Sequence, residues 1–147
     1  MDTEDFVRES NRIEGILRHP TKEELDAHNQ LVSRPIVTIQ HMIDFVSVYQ
    51  PNAILRDRSG LNVRVGNHTP PPGGQAIVYE LQSLLDDIES MTPYEAHVRY
   101  ETLHPFTDGN GRSGRALWAW HMTQTEGAYP LGFLHHFYYQ SLGADNA

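Results

Sequence analysis

The chain has 147 residues, one domain's worth at roughly 150 residues each, and enough to bury about 70% of its unfolded surface in a single core. Hydrophobic residues make up 39% and charged residues 20%, with 19 Asp and Glu against 11 Lys and Arg for a net charge of −8; this is an ordinary globular composition that makes nucleic acid and anionic membrane poor partners. There is no cysteine, which excludes disulfides, thiolate metal sites and thiol nucleophiles and fits a reducing compartment.

No apolar run approaches the roughly 18 residues of a membrane helix. The acidic start Met1-Asp2-Thr3-Glu4-Asp5 is unlike a secretory signal, so a cytoplasmic protein, or one delivered without a cleaved signal, is expected. Between Glu4 and Leu17, Phe6, Ile13, Ile16 and Leu17 recur at helical spacing, and His19-Pro20 ends that helix. Thr21 and Glu24 have the spacing of a capping box and open a second helix. From Pro35 to Tyr49, Ile36, Ile39, Ile43 and Val46 define a third, with Pro35 in its first turn.

The stretch from Pro51 to Pro72 breaks the helical pattern with Gly60, Gly66 and Pro70-Pro71-Pro72. Leu61, Val63 and Val65 alternate with Asn62 and Arg64, the period of a strand. Ile54-Leu55-Arg56 is the expected partner across an Asp57-Arg58-Ser59-Gly60 turn. Helix returns at Gln75, where Ile77, Leu81, Leu84, Leu85 and Ile88 form one amphipathic face. Another runs from Pro93 towards Leu103, with Ala96, Val98 and Tyr100 partly buried; one resumes near Asn110 and a last one covers Leu134 to Leu142. The expected fold class is all-α with a β-hairpin, in one domain over residues 1–147.

The segment from His104 to Arg115, HPFTDGNGRSGR, carries the chemistry. Pro105, Gly109 and Gly111 force a loop in which main-chain N–H groups can face a concavity. The helix that follows turns its positive end to the same place. Arg112 and Arg115 are three apart and share a face, and two guanidinium groups can grip phosphate oxygens in pairs. Asp108 would repel phosphate unless a cation lies between them, as Mg²⁺ does when held by one or two carboxylates and substrate phosphates. His104 titrates near neutrality, which suits a general base. The set reads as phosphoryl or nucleotidyl transfer by positioning and electrostatics.

This segment closely resembles the signature of the Fic family, His-Pro-Phe-x-[Asp/Glu]-Gly-Asn-Gly-Arg-x-x-Arg, matched at every specified position. The flanks Arg99-Tyr100-Glu101-Thr102-Leu103 and Gly114-Arg115-Ala116-Leu117, with Val65-Gly66 and Pro70-Pro71-Pro72 upstream, resemble it too. The resemblance implies a Fic-type helical bundle with a β-hairpin flap over residues 51–72 and a catalytic loop and helix start over 104–115. It implies transfer of AMP from ATP to a Ser, Thr or Tyr hydroxyl of a target protein, with the chain itself among the candidate targets. His104 would take the hydroxyl proton, and Asp108 would hold Mg²⁺. Asn110 and the amides of Gly109 to Gly111 would cradle phosphates, with Arg112 and Arg115 balancing their charge. Phe106 would anchor the loop. Leu61, Val63 and Val65 would form the flap edge on which the target segment docks. Gly111 and Arg115 are both present, against the degenerate motif of the phosphorylating toxin branch.

Ser10-Asn11-Arg12-Ile13-Glu14-Gly15 resembles the family's inhibitory motif, [Ser/Thr]-x-x-x-[Glu/Ala]-[Gly/Asn]. It implies an N-terminal inhibitory helix within residues 1–19, with Ser10 and Glu14 one turn apart and Glu14 on Arg115. Self-association is a common way for the family to release such a brake. The alternatives are transfer of UMP, GMP, phosphate or phosphocholine, or removal of AMP by water. Tyr138 and Tyr139 are candidates for stacking on a base. A nucleotide-binding module without turnover fits poorly beside an intact His104 and Asp108. A metal-storage role for the nine histidines fits worse, because the adjacent His135 and His136 diverge on a helix.

Overall fold

The computed structural model describes residues 2–129 and Leu134. Helix α1 spans Thr3–Ile13, α2 Lys22–Val32, α3 Ile39–Tyr49, α4 Gln75–Asp87, α5 Pro93–Leu103 and α6 Asn110–Glu126, with a 3₁₀ turn at Ile88–Ser90. The expected Leu134–Leu142 helix lies outside the described residues except for Leu134, which is helical and buried. Tyr138, Tyr139, His135 and His136 lie outside them altogether. Among the described residues no helix is long and apolar enough to cross a membrane.

Local chemistry accounts for the helix ends. The Thr21–Glu24 capping box forms in both directions. Helix α1 stops at Ile13, short of the expected Leu17, because Gly15 takes a left-handed φ of 79°; Leu17 is left 77% exposed. Helix α3 begins at Ile39 rather than Pro35. Thr38 accepts from the His41 amide and His41 accepts from the Thr38 amide, and this cap overrides the preference of Pro35 for a first turn. In α5 the buried face is Ala96, His97, Tyr100 and Leu103, and Val98 faces outward.

Helix α6 is the centre of the bundle. It packs against α1, α2, α3 and α5, and every residue from Arg112 to His121 is buried, the mark of a helix surrounded by protein. The main core joins Met42, Phe45 and Val46 of α3 and Ile77, Leu81 and Leu84 of α4 to Tyr100, Phe106 and Trp120. A second cluster seats α1: Phe6 packs with Trp118, Ala119 and Leu134.

The segment between α3 and α4 differs from the expected hairpin. Among the described residues it forms no strand ladder, and Ile54–Arg56 does not pair with Leu61–Val65. Leu55 instead bridges Phe106, with the Arg56 amide on the Pro105 carbonyl and the Thr107 amide on the Ile54 carbonyl, both at 2.9 Å. The tight reversal lies at Gly66-Asn67, not at Asp57–Gly60. Val65 and His68 exchange both main-chain hydrogen bonds across it, at 3.0 and 2.8 Å, and Gly66 has a φ of 57°. A two-residue loop of this kind needs the left-handed backbone that glycine adopts without strain.

Candidate active site

The loop from His104 to Gly109 joins α5 to the start of α6, and its shape is set by two residues in left-handed conformation. Gly109, with φ 77°, precedes α6. His104, with φ 50° and ψ 65°, ends α5, and it alone among the described non-glycine residues has a positive φ. A side chain in this region costs about 1–2 kcal/mol, a strain that collects at functional sites. The conformation lets His104 Nδ1 reach the Glu101 carbonyl at 3.2 Å. A carbonyl only accepts, so Nδ1 carries the proton and Nε2 keeps its lone pair. Burial lowers the His104 pKa, and Arg56 and His68 add to the effect; the Glu101 carbonyl bond and Glu14 oppose it. The neutral, proton-accepting ring is therefore favoured.

Phe106 is buried in the core and fixes the loop. The Asn110 side chain closes it: Oδ1 accepts from the Phe106 amide at 2.9 Å and Nδ2 donates to the Phe106 carbonyl at 2.8 Å. This side chain is thus engaged within the loop. What remains for an anion is the first turn of α6, which has no side-chain cap and whose leading N–H groups have no intrahelical acceptor.

Arg112 and Arg115 lie in the next turn and differ sharply in their partners. Arg112 is 3% exposed, its guanidinium 5.6 Å from the centre of the Tyr49 ring. Its Nε and Nη1 have no hydrogen-bond partner among the described residues. A buried cation with idle donors is costly until an anion reaches it. Arg115 is engaged by α1: Nε donates to Ser10 Oγ at 2.8 Å, and Nη2 to the Ser10 carbonyl at 2.9 Å and to Glu14 Oε1 at 2.8 Å. The same carboxylate lies over Gly111, where any Cβ would overlap it.

Asp108 is exposed, and its Oδ1 accepts from the Gly109 amide at 2.7 Å. Among the described residues no three His, Asp or Glu side chains converge as a metal cage. One carboxylate beside an anion cradle fits a divalent cation that arrives with phosphates, as Mg²⁺ does, rather than a resident metal. Of the expected flap residues, Leu61 and Val63 are half-buried and Val65 is exposed. Main-chain groups of residues 62–64 make no hydrogen bond among the described residues, which leaves an open edge.

Three residues of the site escaped the sequence reading. Arg56 is fully buried behind His104. Tyr49 lies beside the Arg112 guanidinium. Glu101 sits behind Gly114, where a Cβ would strike its carboxyl and the Tyr100 ring. Burial pushes the Glu101 carboxyl up to about 7, with Arg115 opposing and Glu14 reinforcing the shift. Residues 22–122 match the profile of the Fic/DOC family. The matched span holds α2 through most of α6 and leaves α1, with Ser10 and Glu14, outside it.

Proposed function

We propose that this chain, which belongs to the Fic/DOC family, moves AMP from ATP to a hydroxyl of a protein and is held in check by its own first helix. Family membership makes it a transferase of AMP or a similar group onto proteins. The finer reading is carried by the contrast between the two arginines: Arg112 buried with idle donors at an uncapped helix start, and Arg115 neutralised by Glu14.

In this reading the first-turn amides of α6 and Arg112 hold the phosphates, and Arg115 meets the terminal one. Asp108 would hold Mg²⁺ delivered with the nucleotide, which offsets phosphate charge when bound. An extended segment of the target pairs with the open edge at residues 62–64, between Leu61 and Val65, and presents its hydroxyl. His104 Nε2 takes the hydroxyl proton as the oxygen bonds to the α-phosphorus. The bond from that phosphorus to the bridging oxygen breaks, and pyrophosphate leaves. Glu14 opposes this in two ways. It occupies the guanidinium meant for the γ-phosphate, and it places a carboxylate where that phosphate must lie. Gly111 and Arg115 favour AMP over phosphate as the group transferred.

The test is the intact mass of the unaltered chain, Glu14→Gly and Glu14→Gly/His104→Ala after incubation with ATP and Mg²⁺, alone and with cell extract and labelled ATP. Transfer of AMP by Glu14→Gly, little by the unaltered chain and none without His104 is expected. Phosphate-sized gains overturn the assignment of AMP. Equal transfer with and without Glu14 overturns the brake.

A further inference from the structure

Arg56 has a relative exposure of 0%, and among the described residues no carboxylate pairs with it. Its guanidinium donates to four main-chain carbonyls instead. Nε reaches His104 at 2.7 Å and Nη2 reaches Leu103 at 2.9 Å, while Nη1 reaches both Leu61 at 3.1 Å and Pro71 at 2.8 Å. Leu103 and His104 lie at the C-terminal end of α5, where carbonyls lack helical donors and the dipole is negative. Leu61 and Pro71 lie on the two arms of the flap. The main chain of Arg56 adds to the junction, its amide on the Pro105 carbonyl and its carbonyl accepting from the Gly74 amide.

A second tether holds the tip of the flap. His68 follows the Gly66-Asn67 reversal, and its Nε2 donates to the Thr102 carbonyl at 2.8 Å. Three consecutive carbonyls, 102, 103 and 104, therefore accept from side chains of the flap segment. The last belongs to the residue that supplies the base.

We propose that Arg56, assisted by His68, is a positioning residue that registers the flap edge against the His104 imidazole, so that the bound target hydroxyl and its proton acceptor are placed by one junction. This rests on the transferase reading above. An extended peptide pairing with main-chain groups gains little from flap side chains, so its hydroxyl is only as well placed as the edge itself. The planar five-donor fork of Arg reaches four acceptors in two directions, which the ammonium of Lys, with three donors, does not. Arg56 also acts on the base through its charge. The charged and titratable groups facing His104 are Arg56, His68 and Glu14; the first two disfavour the imidazolium and Glu14 favours it.

The test uses the Glu14→Gly chain and three further changes in it: His68→Ala, Arg56→Lys and Arg56→Gln. Four quantities are read: amide hydrogen exchange at 65 and 68, His104 ring titration by NMR, ATP·Mg²⁺ affinity by calorimetry, and AMP transfer. His68 is exposed, so His68→Ala leaves the fold intact while removing the donor to Thr102; faster exchange at the tip and slower transfer are expected. Arg56→Lys lowers transfer by roughly tenfold to a hundredfold, as misplacement of about an ångström does, while ATP affinity stays within about twofold. Arg56→Gln raises the His104 titration midpoint, and Arg56→Lys leaves it in place. Loss of ATP affinity in step with transfer would reduce Arg56 to a structural plug and overturn the proposal. So would unchanged exchange and transfer in His68→Ala, which decides the matter if the Arg56 variants do not fold. A Glu14→Gly chain that binds ATP but transfers no AMP would remove the functional reading instead, with exchange and titration still deciding whether flap and base are registered.

Discussion

Replacing Phe6 with Ala should release the first helix without touching either member of the Glu14–Arg115 pair. Phe6 is 1% exposed. Its ring lies 6.3 Å from that of Trp118 in a stacked pair, 4.9 Å from Tyr129 edge-on and 5.1 Å from His28. The other buried residues of α1 are Val7, Ser10 and Asn11, so Phe6 is the larger of the two apolar side chains that the helix buries fully. A buried Phe→Ala change costs about 3–5 kcal/mol. If the loss falls on docking of α1 alone, 3 kcal/mol raises the undocked population by about a hundredfold. Hydrogen exchange reads this directly. Amides of Phe6–Ile13 should exchange about a hundredfold faster, while those of α5 and α6 keep their protection. AMP transfer should rise towards that of Glu14→Gly. The reasoning is refuted if α1 and α6 lose protection together and transfer does not rise, because α1 would then open only with the whole bundle.

Acid should weaken the bundle through His28. Burial pushes its pKa down to about 4 from 6.5, so the unfolded chain binds the proton first. Stability is full above pH 6.5 and declines as pH falls towards 4, by about 1.4 kcal/mol per unit; urea midpoints at pH 7.5 and 5 should differ, and His28→Gln should shrink the difference. Gly114→Ala should lower the melting temperature, since its Cβ strikes Glu101 and the Tyr100 ring; overpacking of this kind costs about 1–3 kcal/mol, and an unchanged melt would contradict the packing described. Chelating Mg²⁺, or Asp108→Ala, should abolish transfer by Glu14→Gly. Neither should alter α1 protection, because Asp108 bonds the Gly109 amide while Ser10 and Glu14 bond Arg115.

The glycine-shaped loop that leads into α6 and the face shared by Ser10 and Glu14 are legible in the sequence because their causes are local: glycines shape the loop, and residues four apart on a helix reach one partner. The capping box at Thr21 and the apolar face of α4 were legible for the same reason. The start of α3 differs from expectation because two local signals compete and the Thr38–His41 cap outweighs the proline. The flap turn lies away from Asp57–Gly60 because Val65-Gly66-Asn67-His68 carries the stronger two-residue hairpin signal. Arg56 was invisible for a different reason. Its partners are carbonyls at 61, 71, 103 and 104, and main-chain acceptors leave no trace in residue types.

Ser10 and Glu14 both bind Arg115, yet they do different electrical work. The Ser10 hydroxyl and carbonyl are neutral acceptors on Nε and Nη2, and only Glu14 brings a compensating charge. Glu14 also sits at the C-cap of α1, the end of a helix that frays first, on a timescale well below a millisecond. When that turn opens, Arg115 is left unneutralised but still aimed by Ser10. On the proposed reading, the second cation stays oriented for the instant the carboxylate departs, and a trickle of turnover by the resting chain would follow from where the charge sits.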